Sequence, residues 1–376
     1  MIKNWMVITE KKFDNILLFL AFFLSIITII GDLGINKSIA YIAQFLEALV
    51  FLSVYALHIL KQGLDEINQV RLGFIIISLV IMLINRSPEM ISSTMMITFI
   101  YIIFTEKNIN YEKLLKVFTY TTLAIFILIV AAYYIFNFNN HNLLGWRNNE
   151  QIFRRALGFE QPNIAMVDYL SIVYGLIALL KRANHRIFYL FLAFVTCIIY
   201  TQTKSRTSFY VILAALGLFF ILGRHANKRL PTLWGKFITW LPVILLFSSI
   251  YFLLTPYNKN LDSLLSHRIH FYQHYYKEGG GLHFLRNLSF KTKPLIDSSY
   301  IETLITKGIV FTIQMITIFT SLLNHYAKNM TYKGAILIAS FFFVAFTETS
   351  LQRFNLFFLM VLILANEASK TSLLKK

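Results

Sequence analysis

The sequence predicts an all-α fold: a polytopic transmembrane helical bundle of about 10–12 spans, with a helical extracytoplasmic loop between late spans. Three observations carry this. Of 376 residues 57% are hydrophobic and only 14% charged, with a mean hydropathy of +0.62, more apolar surface than one water-soluble core can house. The apolar residues arrive in repeated runs, many near the roughly 20 residues a helix needs to cross a bilayer. The formal charge of +17 gathers in the short segments between runs, as basic loops facing anionic lipid do. A basic balance of this origin argues against nucleic acid as a partner.

The first run, 15–31, follows Lys11 and Lys12 as a signal peptide would. It leads into Gly31-Asp32-Leu33-Gly34 without a small-x-small cleavage pattern, and reads as a retained helix. Further runs follow at 38–60, 72–85, 91–104, 114–136, 164–180, 187–203, 208–223, 237–254, 299–322, 334–347 and 354–367. The runs at 72–85 and 91–104 are short enough to be tilted or re-entrant, which sets the range in the span count. Residues 1–376 read as a single integral membrane domain without internal repeat, low-complexity tract or soluble module. The lone cysteine, Cys197, lies inside an apolar run, so neither a disulfide framework nor a cysteine metal site is expected.

Loop charge sets the orientation. With both termini in the cytoplasm, the inner segments hold 20 of the 35 basic residues, 15 Lys and 5 Arg, in short connections that leave no room for a cytoplasmic catalytic domain. The outer set is 7 Lys, counting Lys307 within a span, and 8 Arg: Arg86, Arg147, Arg154, Arg155, Arg206, Arg268, Arg286 and Arg353. Arginine's planar fork suits bidentate contact with phosphate, whereas lysine suffices for headgroups. Two outer segments are large, 137–163 and 255–298.

Spans entering from outside present free N–H groups and the positive end of the helix dipole to the outer surface. Three entries look alike: Gln161-Pro162-Asn163, Ser205-Arg206-Thr207-Ser208 and Asp297-Ser298-Ser299. Each offers an N-cap residue, and helix N-termini beside arginine make a phosphate or pyrophosphate site. In the late loop, 261–276 is expected to form one amphipathic helix with Leu261, Leu264, Leu265, Arg268 and Tyr272 on one side. His267, His270 and His274 have a ligand-compatible spacing, but no carboxylate or thiolate in that helix completes a metal set. Within spans, Glu47, His58, Asp168, Glu302 and Lys307 are ionisable, and Lys307 calls for a carboxylate such as Glu47. Asp297 and Glu348 fall near the outer interface, where a carboxylate can accept a hydroxyl proton.

Three pieces, Arg155-Ala156-Leu157-Gly158-Phe159-Glu160-Gln161-Pro162-Asn163, Lys204-Ser205-Arg206-Thr207-Ser208, and the late loop from His267 followed by Asp297-Ser298-Ser299-Tyr300 and Gly308, resemble the Wzy-type polymerases of bacterial repeat-unit polysaccharides and the related O-antigen ligases. The resemblance implies a bacterial plasma-membrane glycosyltransferase without metal or cofactor. It would join undecaprenyl-pyrophosphate-linked oligosaccharide units into capsular, exopolysaccharide or O-antigen polymer outside the membrane. Its partners would be those lipid-linked glycans, membrane lipids, a chain-length regulator and a flippase. On matching positions Arg206 and Arg268 would hold the donor pyrophosphate, with Asp297 as the third catalytic residue. Arg155, Asn163, Tyr272, Tyr300, Glu348 and Arg353 would contact substrate, and Arg154 would face headgroups. The ligases carry histidine where this chain has Asp297, which favours a polymerase. A ligase, or a flippase of lipid-linked oligosaccharides, is the alternative.

Overall fold

The computed structural model describes residues 110–147, 150–180, 186–264, 268–285, 296–327, 329–351 and 354–373, with scattered positions between 18 and 83. The predicted spans 38–60, 72–85 and 91–104, with Glu47 and His58, lie outside the described residues apart from single positions, whereas the described residues between Leu18 and Asp32 are helical.

Helix α1 (Tyr111–Phe136) starts where the Asn110 side chain accepts from Lys113 N at 3.0 Å, and stops at Asn137 in the left-handed region. Strands β1 (Leu143–Arg147) and β2 (Glu150–Arg154) pair antiparallel, Arg147 opposite Glu150, around the two-residue link Asn148-Asn149. This hairpin lies in a segment read from the sequence as an outer loop. Helices α2 (Pro162–Leu179), α3 (Arg186–Thr203), α4 (Arg206–Leu222) and α5 (Thr232–Leu254) follow, each close to its predicted run.

Two burial patterns explain why these helices form a membrane bundle. On α3, Ile187, Leu190, Phe191, Phe194 and Ile198 are exposed, while Tyr189, Leu192, Thr196 and Thr203 are buried. A helix with an apolar outer stripe and a mixed inner one is turned inside out relative to a soluble helix, and suits a lipid solvent. Helix α2 is 83% buried and forms the centre of the described bundle. Six helices among the described residues are long and apolar enough to cross a membrane. The protein is an all-α polytopic membrane bundle.

The tenth predicted span, 299–322, is broken rather than continuous. The chain makes α8 (Ser299–Glu302), a wide π turn over Thr303–Lys307, Gly308 at φ 90°, and then α9 (Ile309–Ala327). Thr303 Oγ1 donates to Ser299 O at 2.6 Å and Thr306 Oγ1 to Glu302 O at 2.7 Å, bonds that compete with the helical ladder. Gly308 supplies the backbone angle that ends the turn. The late loop caps the restart: Ile309 N donates to His283 O at 2.9 Å and Val310 N to Phe284 O at 3.2 Å. Lys307 is buried with its ammonium 5.6 Å from the Phe311 ring centre. Helices α10 (Tyr332–Thr347) and α11 (Phe354–Leu373) complete the chain.

The single amphipathic helix expected over 261–276 is two. Helix α6 covers Lys259–Leu264 and α7 covers Arg268–Glu278. Buried Asp262 explains the second start, because its carboxylate accepts from His270 N at 3.1 Å in the first turn of α7 and from Tyr257 OH at 2.9 Å.

Close helix contact depends on small residues. A Cβ on Gly235 of α5 would lie 2.8 Å from the Ala327 carbonyl oxygen of α9, a backbone atom that cannot rotate away. Gly235→Ala is therefore expected to destabilise the protein by about 1–3 kcal/mol, read as earlier thermal unfolding in detergent. An unchanged midpoint would show that the two helices separate freely there.

Candidate functional site

Contacts of Arg154 and Arg268 bring segments predicted to be outer together. Arg268, the first residue of α7, reaches to the end of α10 and the start of α8. Its Nη1 donates to Thr347 O at 2.6 Å. Its Nη2 stands 3.2 Å from Asp297 Oδ2 and 3.5 Å from Glu348 Oε1. The two carboxylates share one guanidinium nitrogen but differ in access: the Glu348 side chain is 8% exposed and that of Asp297 37%.

Backbone geometry fixes these groups. Glu348 N donates to Val344 O at 2.7 Å, closing α10, and Glu348 O accepts from Ser299 Oγ at 2.7 Å. Ser299 Oγ in turn accepts from Leu351 N at 3.0 Å. Of the three predicted N-caps, Ser298 works as one, accepting from Ile301 N, whereas Gln161 and Ser205 make no side-chain cap bond. Tyr272 is buried one turn along α7 from Arg268, beside the Ser298 backbone.

Arg154 joins the cluster from the end of β2. Its Nε donates to Thr203 O at 3.1 Å, its Nη2 to Asn163 Oδ1, and its charge reaches Asp297. Arg155, the residue expected to contact substrate, turns instead to α3: Nη1 donates to Gln202 Oε1 at 2.7 Å, and its backbone N to Gln202 O at 2.9 Å. Successive residues of an extended chain point to opposite sides, so only one of this pair faces the carboxylates, and it is Arg154 rather than the headgroup-facing role expected for it.

Arg206 begins α4, three residues beyond the Thr203 carbonyl that Arg154 grips. It is exposed, and no described residue pairs with it. Ser205 and Ser208 flank it, 1% and 0% exposed, with hydroxyls that have no partner among the described residues. Tyr300 is fully buried against Phe346 and its hydroxyl likewise has no described partner; it packs within the core instead of being presented to solvent. Arg353 and His267 lie outside the described residues.

The electrostatics are those of a crowded, partly desolvated cluster. Burial pushes the Asp297 carboxyl above the ordinary aspartate value, against the pull of Arg268 and Arg154. Burial also works against the Arg268 charge, but Glu348 and Asp297 outweigh it and its pKa rises. The Tyr272 hydroxyl is pushed well up by burial, so it stays a neutral phenol. The arrangement can hold an anion between guanidinium groups and take a proton on the more accessible carboxylate. Among the described residues no group of three His, Cys, Asp or Glu side chains is placed to hold a metal ion.

The fold brings together Arg268, Asp297, Glu348, Asn163 and Tyr272, all conspicuous in the sequence. Arg154, expected at headgroups, and the anchoring carbonyls of Thr347 and Thr203 join them. The twin arginines at 154 and 155 were the available signal, but which one faces inward depends on strand phase. Comparisons with protein-family models, curated proteins and solved structures find no match to this chain.

Proposed function

We propose that the protein is a membrane glycosyltransferase that polymerises undecaprenyl-pyrophosphate-linked oligosaccharide units on the extracytoplasmic side of a bacterial plasma membrane. The observation that carries this is the convergence of Arg268 on Asp297 and Glu348 at one end of a membrane bundle, with Arg154 bearing on the same aspartate. The positive-inside bias assigns that end to the outside. A sugar pyrophosphate is already activated, so the protein must chiefly neutralise the leaving group and orient an acceptor.

In this scheme Asp297 takes the proton of the acceptor sugar hydroxyl as that oxygen bonds to the donor's anomeric carbon. The anomeric C–O bond breaks and its electron pair leaves with undecaprenyl pyrophosphate, whose charge Arg268, Arg154 and Arg206 receive. Arg206 is exposed and has no partner among the described residues. Arg206→Ala is expected to lower polymerisation about 100-fold, and Arg206→Lys to recover little, because an ammonium lacks the fork. Gel analysis of polymer length checks both; normal chains in Arg206→Ala would remove this residue from donor binding.

The deciding experiment supplies purified, reconstituted protein with lipid-linked repeat units and no ion gradient. A ladder of longer glycans is expected. A single transfer to a different acceptor would make the protein a ligase. The broken helix at Thr303–Gly308 favours one further reading, a flippase, since transporters place discontinuous helices at their substrate sites; movement of lipid-linked units across the bilayer without elongation would establish it.

A further inference from the structure

Asp297 and Glu348 are not equivalent partners of Arg268. Both approach the same nitrogen, Nη2, while Nη1 is taken by the Thr347 carbonyl. Glu348 is walled in, its backbone carbonyl holding Ser299 and its side chain almost closed to solvent. Asp297 covers the accessible side, with more than a third of its side chain open. An anion arriving from outside meets Asp297 first, on the flank of Arg268 that it must occupy.

We propose that Asp297 is a built-in placeholder for the donor's phosphate: its carboxylate fills the anion seat on Arg268 when the site is empty and is displaced when the pyrophosphate binds. This rests on the proposed glycosyltransferase activity and adds to it a device that couples donor binding to activation of the base. While paired to Arg268, Asp297 has an oxygen engaged and is a poorer proton acceptor. Once the pyrophosphate takes its place, the freed carboxylate can turn to the acceptor hydroxyl and receive its proton as the glycosidic bond forms and pyrophosphate departs. A donor must then be seated before the base is competent. Glu348 stays behind Arg268 throughout and positions it; it is not displaced.

The test is the affinity for farnesyl pyrophosphate, a short-chain probe that carries no sugar and cannot react, measured by calorimetry on the full-length protein in detergent. Asp297→Asn removes the competing charge with almost no change in shape, and is expected to tighten probe binding about fivefold while abolishing polymerisation. Glu348→Gln removes an equal charge from the same guanidinium nitrogen, but on the side closed to solvent, and is expected to leave affinity unchanged or weaker. Equal tightening in both variants would mean that bulk charge alone is at work and would overturn the placeholder. Wild-type binding with no gain in Asp297→Asn would overturn it too, and leave the glycosyltransferase assignment standing. Binding in neither protein would overturn both. If Asp297→Asn is poorly folded, Asp297→Ala supplies the same answer with acetate: acetate should fill the vacated seat and weaken probe binding in that variant but not in the wild type, and no difference between them would refute the displacement.

Discussion

Arg268→Ala is expected to cut polymerisation about 1,000-fold, at the upper end for loss of a donor aimed at developing charge, and to destabilise the fold as well. The second effect follows from what Arg268 holds in place. It ties the start of α7 to the end of α10 through Thr347 O, and compensates Asp297 and Glu348 together. Its removal takes this guanidinium from a nearly buried Glu348 and from Asp297, which keeps the Arg154 charge. Because Asp297 retains solvent, the cost is expected at about 2 kcal/mol, below that of breaking a fully buried pair. Arg268→Lys separates the two effects. A lysine keeps the charge and most of the stability but cannot span the carbonyl and both carboxylates, so it should unfold near the wild-type temperature and still polymerise poorly. Thermal unfolding in detergent, paired with polymer length on gels, reads both. Normal chains from Arg268→Ala would falsify its role in the chemistry, whatever its stability.

The largest purely structural effect is expected at the opposite end. Lys333 is buried, and its ammonium donates to Ala178 O and Leu180 O, each at 3.2 Å, where α2 ends. Glu367 of α11 stands 3.7 Å from the same nitrogen and accepts from Thr331 Oγ1 at 2.6 Å. One cation therefore caps the central helix at its negative end and links it to α10 and α11. Lys333→Met removes the charge facing a buried carboxylate and two carbonyl contacts, and should destabilise by about 3–5 kcal/mol. The double variant Lys333→Met with Glu367→Gln should regain part of that loss, since no buried charge is then left behind. A Lys333→Met protein as stable as the wild type would show that water reaches this pair and that it has little structural weight.

Lys333 also shows where sequence reasoning stops. It counted as one of many inner lysines, and its place at that end of the bundle fits the charge bias, but no pattern around it announces a buried helix cap. The partners lie about 155 and 34 residues away, distances that only packing closes. The tenth span teaches the same point from the opposite direction. Its composition reads as one helix, and the threonine and glycine signals at Thr303, Thr306 and Gly308 are too weak singly to predict a break. Together, capped by the His283 and Phe284 carbonyls, they make one.

What the sequence by itself determined is the solvent. Apolar runs of spanning length admit only structures that satisfy their own backbone in lipid, so helices, their approximate limits and their alternation follow from hydropathy and charge. It also marked the outer arginines and Asp297 as chemically conspicuous. Which of these meet was decided only in three dimensions. Arg154 rather than Arg155 bears on Asp297 because of strand phase, and Glu348 rather than Asp297 is shut from water in the packed bundle. A pairing energy depends on distance and desolvation, and both are properties of the packed bundle that no single stretch of chain contains.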